Sequence, residues 1–153
     1  MKRPSRNPQH KPNAGLRTFA MECISDPKEI GKIESFLQKL NKSAKLDDGT
    51  FYRLLVASTE AVNNAIVHGN RSDRRKKVCL ECVLTRDEVL VRVQDHGKGF
   101  DPSGVPNPLD ENNLLKDSGR GIFLIRSMMD RVEYRITREG TTLEMVIDLR
   151  QLR

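Results

Sequence analysis

Apolar residues recur along this chain with two periods, and the switches between them mark its elements. "LRTFAMECI", Leu16 to Ile24, reads as a strand, and "DPKEIGKIESFLQKL" then takes up helical spacing. Asp26 stands where an N-cap belongs, Pro27 at the first helical position and Glu29 in the first turn. A second helix is predicted from about Asp47 to His68, ended by Gly69 and Asn70. Alternation returns in "KVCLECVLT" and "EVLVRVQD", joined by a tight polar turn at Arg86 and Asp87, which predicts an antiparallel pair. Val89, Val91 and Val93 share one face and Leu90, Arg92 and Gln94 the other, so one face of this sheet is expected in the core. The Gly-, Pro- and Asn-rich segment from Asp95 to Ser118 is too long for an ordinary connector and is expected to be a lid or binding loop. "GIFLIRSMMDRV" is helical again. "VEYRITREGTTLEMVIDLR" reads as a hairpin turning at Glu139 and Gly140, with Leu143, Met145, Ile147 and Leu149 on one side.

Composition narrows the class. A length of 153 residues predicts one compact domain. The formal charge of +6 is unevenly spread, because Met1 to Arg17 holds five Lys or Arg and no acid. The rest is close to neutral, which argues against a nucleic-acid-binding face. Residues 1–15 are therefore expected to be a basic flexible N-terminal arm, either simply disordered or touching anionic partners, and 16–153 the folded domain. No apolar run approaches the roughly 20 residues that span a bilayer, and the N-terminus lacks a signal peptide's apolar core, so a soluble cytoplasmic protein with no membrane contact is expected. Cys23, Cys79 and Cys82 are odd in number and fit a reducing compartment. Cys79 and Cys82 lie three apart on a predicted strand and so point to opposite faces, which argues against a metal-binding pair.

The second helix carries chemistry that packing does not require. In "STEAVNNAIVHGN", Leu54, Leu55, Ser58, Ala61, Val62, Ala65 and Ile66 form one broad stripe, while Glu60 and Asn64, one turn apart, share a face roughly opposite its centre. A carboxylate and a carboxamide so placed offer oxygens suited to Mg²⁺, or a base beside a metal-held hydroxyl. The same pattern is also what a solvated helix face looks like. Asn63 and His68 are expected at the periphery.

Two further motifs bear on that choice. "QDHGKGFDP" sets Asp95 at a strand end before Gly97 and Gly99, a carboxylate able to accept from a base's exocyclic amine and a backbone that a planar ring can approach closely. "KDSGRGIFLI" puts Gly119 and Gly121 at a helix N-terminus, where backbone N–H groups and the helix dipole favour phosphate.

Taken in order, E-x-x-x-N on a helix, D-x-G-x-G after a strand and G-x-G opening a helix resemble the N, G1 and G2 boxes of the GHKL ATPases, over about Leu16 to Leu149. "EAVNNAIVHGN", "DHGKGFDP", "GRGIFLIRSMMDRVEY" and "GTTLEMVIDL" look most like the anti-sigma factor serine kinases of bacterial partner-switching pathways. The resemblance implies an α+β fold, the two-layer α/β sandwich called the Bergerat fold, with a mixed, mostly antiparallel sheet and helices packed on one face. It makes 16–153 a histidine-kinase-like ATP-binding domain using ATP and Mg²⁺. It implies a kinase that phosphorylates a serine of an anti-anti-sigma (STAS-type) protein, sequesters a sigma factor, and acts as a homodimer without direct nucleic-acid contact. By position, Glu60 matches the general base, Asn64 the Mg²⁺ ligand, Asp95 the adenine-reading aspartate, and Gly97 and Gly99 the G1 glycines. Gly119 and Gly121 match the G2 glycines, with Arg120 between them as a charge partner for the nucleotide, and Thr142 a threonine near the adenine. Lys116 falls in the lid. Two other readings stay open: a nucleotide-dependent binding module with weak or no kinase activity, and an isolated histidine-kinase ATPase domain. The second is disfavoured because no phosphoacceptor-type helical hairpin precedes Leu16.

Overall fold

The computed structural model describes residues 15–97 and 119–152. Most of the expected arm and most of the expected lid, residues 98–118 with Gly99 and Lys116, lie outside the described residues. Strand β1 (Arg17–Ile24) passes through one 3₁₀ turn (Pro27–Glu29) into helix α1 (Ile30–Ala44). The entry is fixed by Asp26, extended at φ −124° and ψ 125°, whose carboxylate accepts from Lys28 N at 2.9 Å, while Pro27 occupies a position whose N–H has no helical partner. α1 buries Ile33, Leu37 and Leu40, one stripe of its surface. It stops where Lys45 turns left-handed at φ 50° and Asn41 Oδ1 takes the Leu46 amide at 2.9 Å.

Helix α2 (Asp48–Asn64) starts at Asp47, which accepts from Thr50 N at 3.0 Å and from the Thr50 hydroxyl at 2.6 Å. The helix does not continue unchanged to His68. Its last turn, Ala65–Gly69, widens to a π-turn, and Asn70 N reaches back to Ala65 O at 2.8 Å. The expected span holds, but the looser winding shifts Gly69 and Asn70 from where regular helical geometry would set them.

Strands β2 (Lys77–Leu84) and β3 (Glu88–Gln94), helix α3 (Gly119–Met128), strands β4 (Arg131–Thr137) and β5 (Gly140–Asp148) and a final 3₁₀ turn (Arg150–Leu152) complete the described chain. The sheet runs β1-β2-β3-β5-β4, and every described pair is antiparallel, so any parallel part of the expected mixed sheet is not among these strands. β5, the last of the described strands, is inserted between β3 and β4.

Side-chain alternation divides the sheet into a core face and an open face. Val89, Val91, Val93, Leu143, Met145 and Ile147 are buried against the helical layer with Leu54, Ala57, Ala61, Val62 and Ile66 of α2 and the turn after it. Each of the Val, Leu, Ile and Met side chains among them contributes about 1.5–3 kcal/mol relative to exposure, and each Ala less. On the open face Arg92 bonds exposed Glu81 at 2.8 Å and half-buried Glu144 at 3.0 Å; the pair with Glu81 contributes little. Cys82 is buried in the core while Cys79 sits beside Glu22 on the open face, as the alternation requires. Arg53 of α2 donates from Nε to Met128 O at 2.7 Å and pairs with Asp130 at 3.2 Å, which clamps the C-terminus of α3 near the start of α2. α3 therefore runs back along α2, and its N-terminus arrives at α2's C-terminal half. Among the described residues no helix is long and apolar enough to cross a membrane.

Candidate functional site

Glu60 and Asn64 meet the first turn of α3. A Cβ built on Gly121 would stand 3.0 Å from Glu60 Oε2, 3.1 Å from Asn64 Nδ2 and 3.3 Å from Asn64 Oδ1. Only a residue without a side chain lets the two helices approach this closely without displacing one of those groups. Asn64 Nδ2 is buried and has no hydrogen-bond partner among the described residues. An unpaired buried amide costs about 1–3 kcal/mol, and a ligand is one way to recover it. The carboxamide, with no partner fixing its nitrogen, is free to turn its oxygen toward a cation. Among the described residues no three His, Cys, Asp or Glu side chains gather to hold a metal ion. A hard cation at Asn64 would therefore draw most of its ligands from nucleotide and water, which is how Mg²⁺ is commonly held, and the donor set fits it. Arg120 is exposed on the first turn of α3, Asn63 is half-buried, and His68 is exposed.

A second cluster forms where β3 ends. Asp95 is only 6% exposed. Its N–H donates to Thr141 O at 3.0 Å, and its Oδ1 accepts from Gly97 N at 3.1 Å and Thr141 N at 3.0 Å. Burial pushes this carboxyl's pKa up, and the two N–H donors oppose that push. Its other oxygen lies against Gly69, where a Cβ would overlap it. A Cβ on Gly97 would overlap the Gly69 carbonyl, and one on Gly140, at φ +150°, would overlap the Asp95 carbonyl. Three glycines from three segments thus close on one carboxylate. Tyr134 shares this surroundings: burial first, and then the Asp95 charge, pushes its hydroxyl up to about 12.

The structure brings Glu60, Asn64 and Gly121 together, and Asp95 with Gly97; Gly99 is outside the described residues. Thr142 joins neither group. Its side chain lies on the open face, in a groove shared with Gln94, Cys79 and Arg92, because it pairs with Gln94 and strand alternation sends it away from Asp95. Thr141, one residue earlier, makes the contact through its backbone. Sequence pattern predicts Gly69 and Asn70 only as a helix end and Gly140 only as a turn. Nothing local signals that they converge with Thr141 and Tyr134 on Asp95, since they come from distant segments.

Comparison with known proteins turns this geometry into a family. The histidine kinase-like ATPase domain family matches residues 23–147, which takes in both clusters. An anti-sigma F factor from Oceanobacillus iheyensis is 34% identical over 137 residues, 86% of this chain and 91% of that one. The chain belongs to the anti-sigma factor kinase family. A serine-protein kinase RsbW from Bacillus licheniformis is 25% identical over 131 residues, covering 82% of this chain and 81% of its own. Among solved structures, a histidine kinase domain from Erythrobacter litoralis superposes with a TM-score of 0.53 at 19% identity, over 80% of this chain and 61% of that chain, a likeness of fold alone. The fold is accordingly the Bergerat-type α+β sandwich, and ATP use comes with this family.

Proposed function

We propose that the chain is a serine protein kinase that transfers the γ-phosphoryl group of ATP, held with Mg²⁺, to an anti-anti-sigma (STAS-type) protein, and that it holds a sigma factor when that protein is unavailable. The reading includes a cytoplasmic homodimer without direct contact to nucleic acid or membrane. Its main support is the meeting of Glu60, the unpaired amide of Asn64 and the glycine-opened N-terminus of α3 in one place. The names of the relatives, anti-sigma F factor and serine-protein kinase, support the substrate and the partner.

Each residue then has one task. Asp95 commits Oδ1 to the Gly97 and Thr141 amides and offers its other oxygen to the exocyclic amine of adenine, a charge-assisted bond of about 1.5–3 kcal/mol. Gly97 and Gly99 let the ring approach the backbone. Asn64 presents its carboxamide oxygen to the cation. Amides of the first turn of α3, at Gly119 and Gly121, face the phosphates with the helix dipole behind them, and Arg120 adds positive charge there. Bound Mg²⁺ and ATP would supply the phosphoryl group and neutralise its developing charge. Glu60 accepts the proton of the acceptor serine's hydroxyl as that oxygen becomes the nucleophile. Thr142 has no task in this scheme.

The test separates Glu60 from Asn64. Glu60→Gln keeps size and polarity but removes the proton acceptor, so single-turnover phosphorylation of the partner serine is expected to fall by about 10² to 10⁴ with nucleotide affinity little changed. Asn64→Ala is expected to damage Mg²⁺-dependent binding and transfer together. Parental transfer by Glu60→Gln removes the base assignment. A parent that labels no partner yet binds a sigma factor only with ATP is a nucleotide-dependent clamp instead.

A further inference from the structure

We propose that Asn70 is a positioning residue that sets the discrimination of adenine from guanine, by fixing the peptide that follows Asp95 against the end of α2. The proposal rests on the reading that Asp95 meets the base.

Asn70 is 1% exposed and committed at every polar atom. Its N–H donates to Ala65 O at 2.8 Å, Nδ2 donates to Ser25 Oγ at 2.8 Å and Lys77 O at 3.1 Å, and Oδ1 accepts from His96 N at 2.8 Å. The amide orientation is unambiguous, because a backbone N–H only donates and a backbone carbonyl only accepts. Ser25 continues the chain by donating from Oγ to Lys76 O at 2.7 Å, so its oxygen receives the Asn70 proton. One side chain thus ties together the end of β1, the π-turn after α2, the start of β2 and the turn after β3. A merely space-filling residue needs none of these bonds.

The link to the base runs through consecutive amides. His96 N is held by Asn70 Oδ1, and Gly97 N, the next amide, is held by Asp95 Oδ1 at 3.1 Å. Releasing the first frees the turn to rotate and withdraws the second. The Asp95 carboxylate then keeps one donor, the Thr141 amide, in place of two, and the oxygen facing Gly69 is held by packing with less directional control. Adenine presents an amine donor at the position where guanine presents a carbonyl acceptor. A fixed carboxylate accepts the first and repels the second; a loosened one does both poorly. Asn70 comes within reach of His96 because the widened turn Ala65–Gly69 delivers it there.

The test compares Kd for ATP and GTP by calorimetry in the parent, Asn70→Ala and Asp95→Asn, with melting of each protein without nucleotide. Asn70→Ala is expected to weaken ATP by about tenfold and GTP little, narrowing the ratio by about that factor. Amide exchange at His96 in the nucleotide-free variant is expected to accelerate as well. An Asn70 that is only architectural lowers the melting temperature and leaves the ratio at its parental value, which overturns the proposal. Should Asn70→Ala show no melting transition, His96→Pro is read in its place. It removes the one donor and leaves Asn70 tied to Ser25 and Lys77; the same narrowing supports the proposal, and a parental ratio overturns it. A narrowed ratio in Asp95→Asn with a parental one in Asn70→Ala refutes the Asn70 proposal alone. Parental ratios in both, or a parent that binds GTP as tightly as ATP, refute the base reading of Asp95 and this proposal with it.

Discussion

Replacing glycine by alanine at two positions of this chain is expected to move stability in opposite directions, which makes the pair a sharp test of the geometry around Asp95. Gly140 opens β5 at φ +150°, and a Cβ there would overlap the Asp95 carbonyl and stand 3.2 Å from Asp95 Oδ1. The backbone conformation alone costs a non-glycine residue about 1–3 kcal/mol. The overlap is with main chain, which no rotamer relieves, and overpacking of this kind typically adds about 1–3 kcal/mol. Gly140→Ala should therefore lose about 4 kcal/mol, which at roughly 2–4 °C per kcal/mol for a chain of this size lowers the melting temperature by about 8–16 °C. Gly31 lies in α1 with nothing within 4 Å of its Cβ position. Gly31→Ala there should gain about 0.5–1 kcal/mol from helix propensity and melt about 1–4 °C higher. Calorimetric or circular-dichroism melts without nucleotide decide it. A Gly140→Ala protein melting within about 3 °C of the parent would mean that β5 does not press on Asp95 as described, and the glycine enclosure of that carboxylate would have to be abandoned.

Two further expectations concern titrating groups. Burial raises the folded pKa of Asp95 above its unfolded value, so the charged carboxylate costs stability above that folded pKa, and the cost is relieved as pH falls through it. Asp95→Asn keeps an acceptor for the Gly97 and Thr141 amides, so the nucleotide-free variant should melt at or above the parent at neutral pH, with a difference that shrinks on acidification, while ATP binds about 10- to 100-fold more weakly; a difference independent of pH would contradict the first half, and unchanged affinity the second. Burial holds the Cys82 thiol up to about 12, and partial burial with Glu22 also raises Cys79, but only Cys79 is reachable from solvent, so alkylation of the native protein followed by mass spectrometry should modify Cys79 first and Cys82 only at the rate of unfolding. Equal rates at the two would place Cys82 outside the core.

Much of this architecture is legible in the sequence because its signals are local. Asp26 and Asp47 cap the turns they announce, the alternation of Val89, Val91 and Val93 lands on the core face, and Glu60 and Asn64 share the side of α2 that helical geometry gives them. Thr142 lies on the open face while the backbone of Thr141 meets Asp95, since a shift of one residue along a strand reverses the face. The π-turn after Asn64 is invisible to a period of 3.6, since one extra residue in one turn leaves the hydrophobic pattern almost unchanged. Least legible is the enclosure of Asp95 by Gly69, Gly97 and Gly140. Each glycine has an adequate local explanation as a helix end or a turn, and only the long-range pairing of β3 with β5 turns the three into neighbours.

The place of β5 in the sheet also bears on how the protein is made. Synthesis delivers β5 after both β3 and β4, yet β5 lies between them and supplies the Thr141 amide that orients Asp95. A nascent chain that ends before Gly140 leaves the β3 edge unpaired and the Asp95 carboxylate without its Thr141 donor. The contact that closes the sheet is one of long sequence separation, the kind that forms late. Emergence of β5 from the ribosome is the event that completes this sheet, so termination before Gly140 should leave an aggregation-prone fragment rather than a weakened fold.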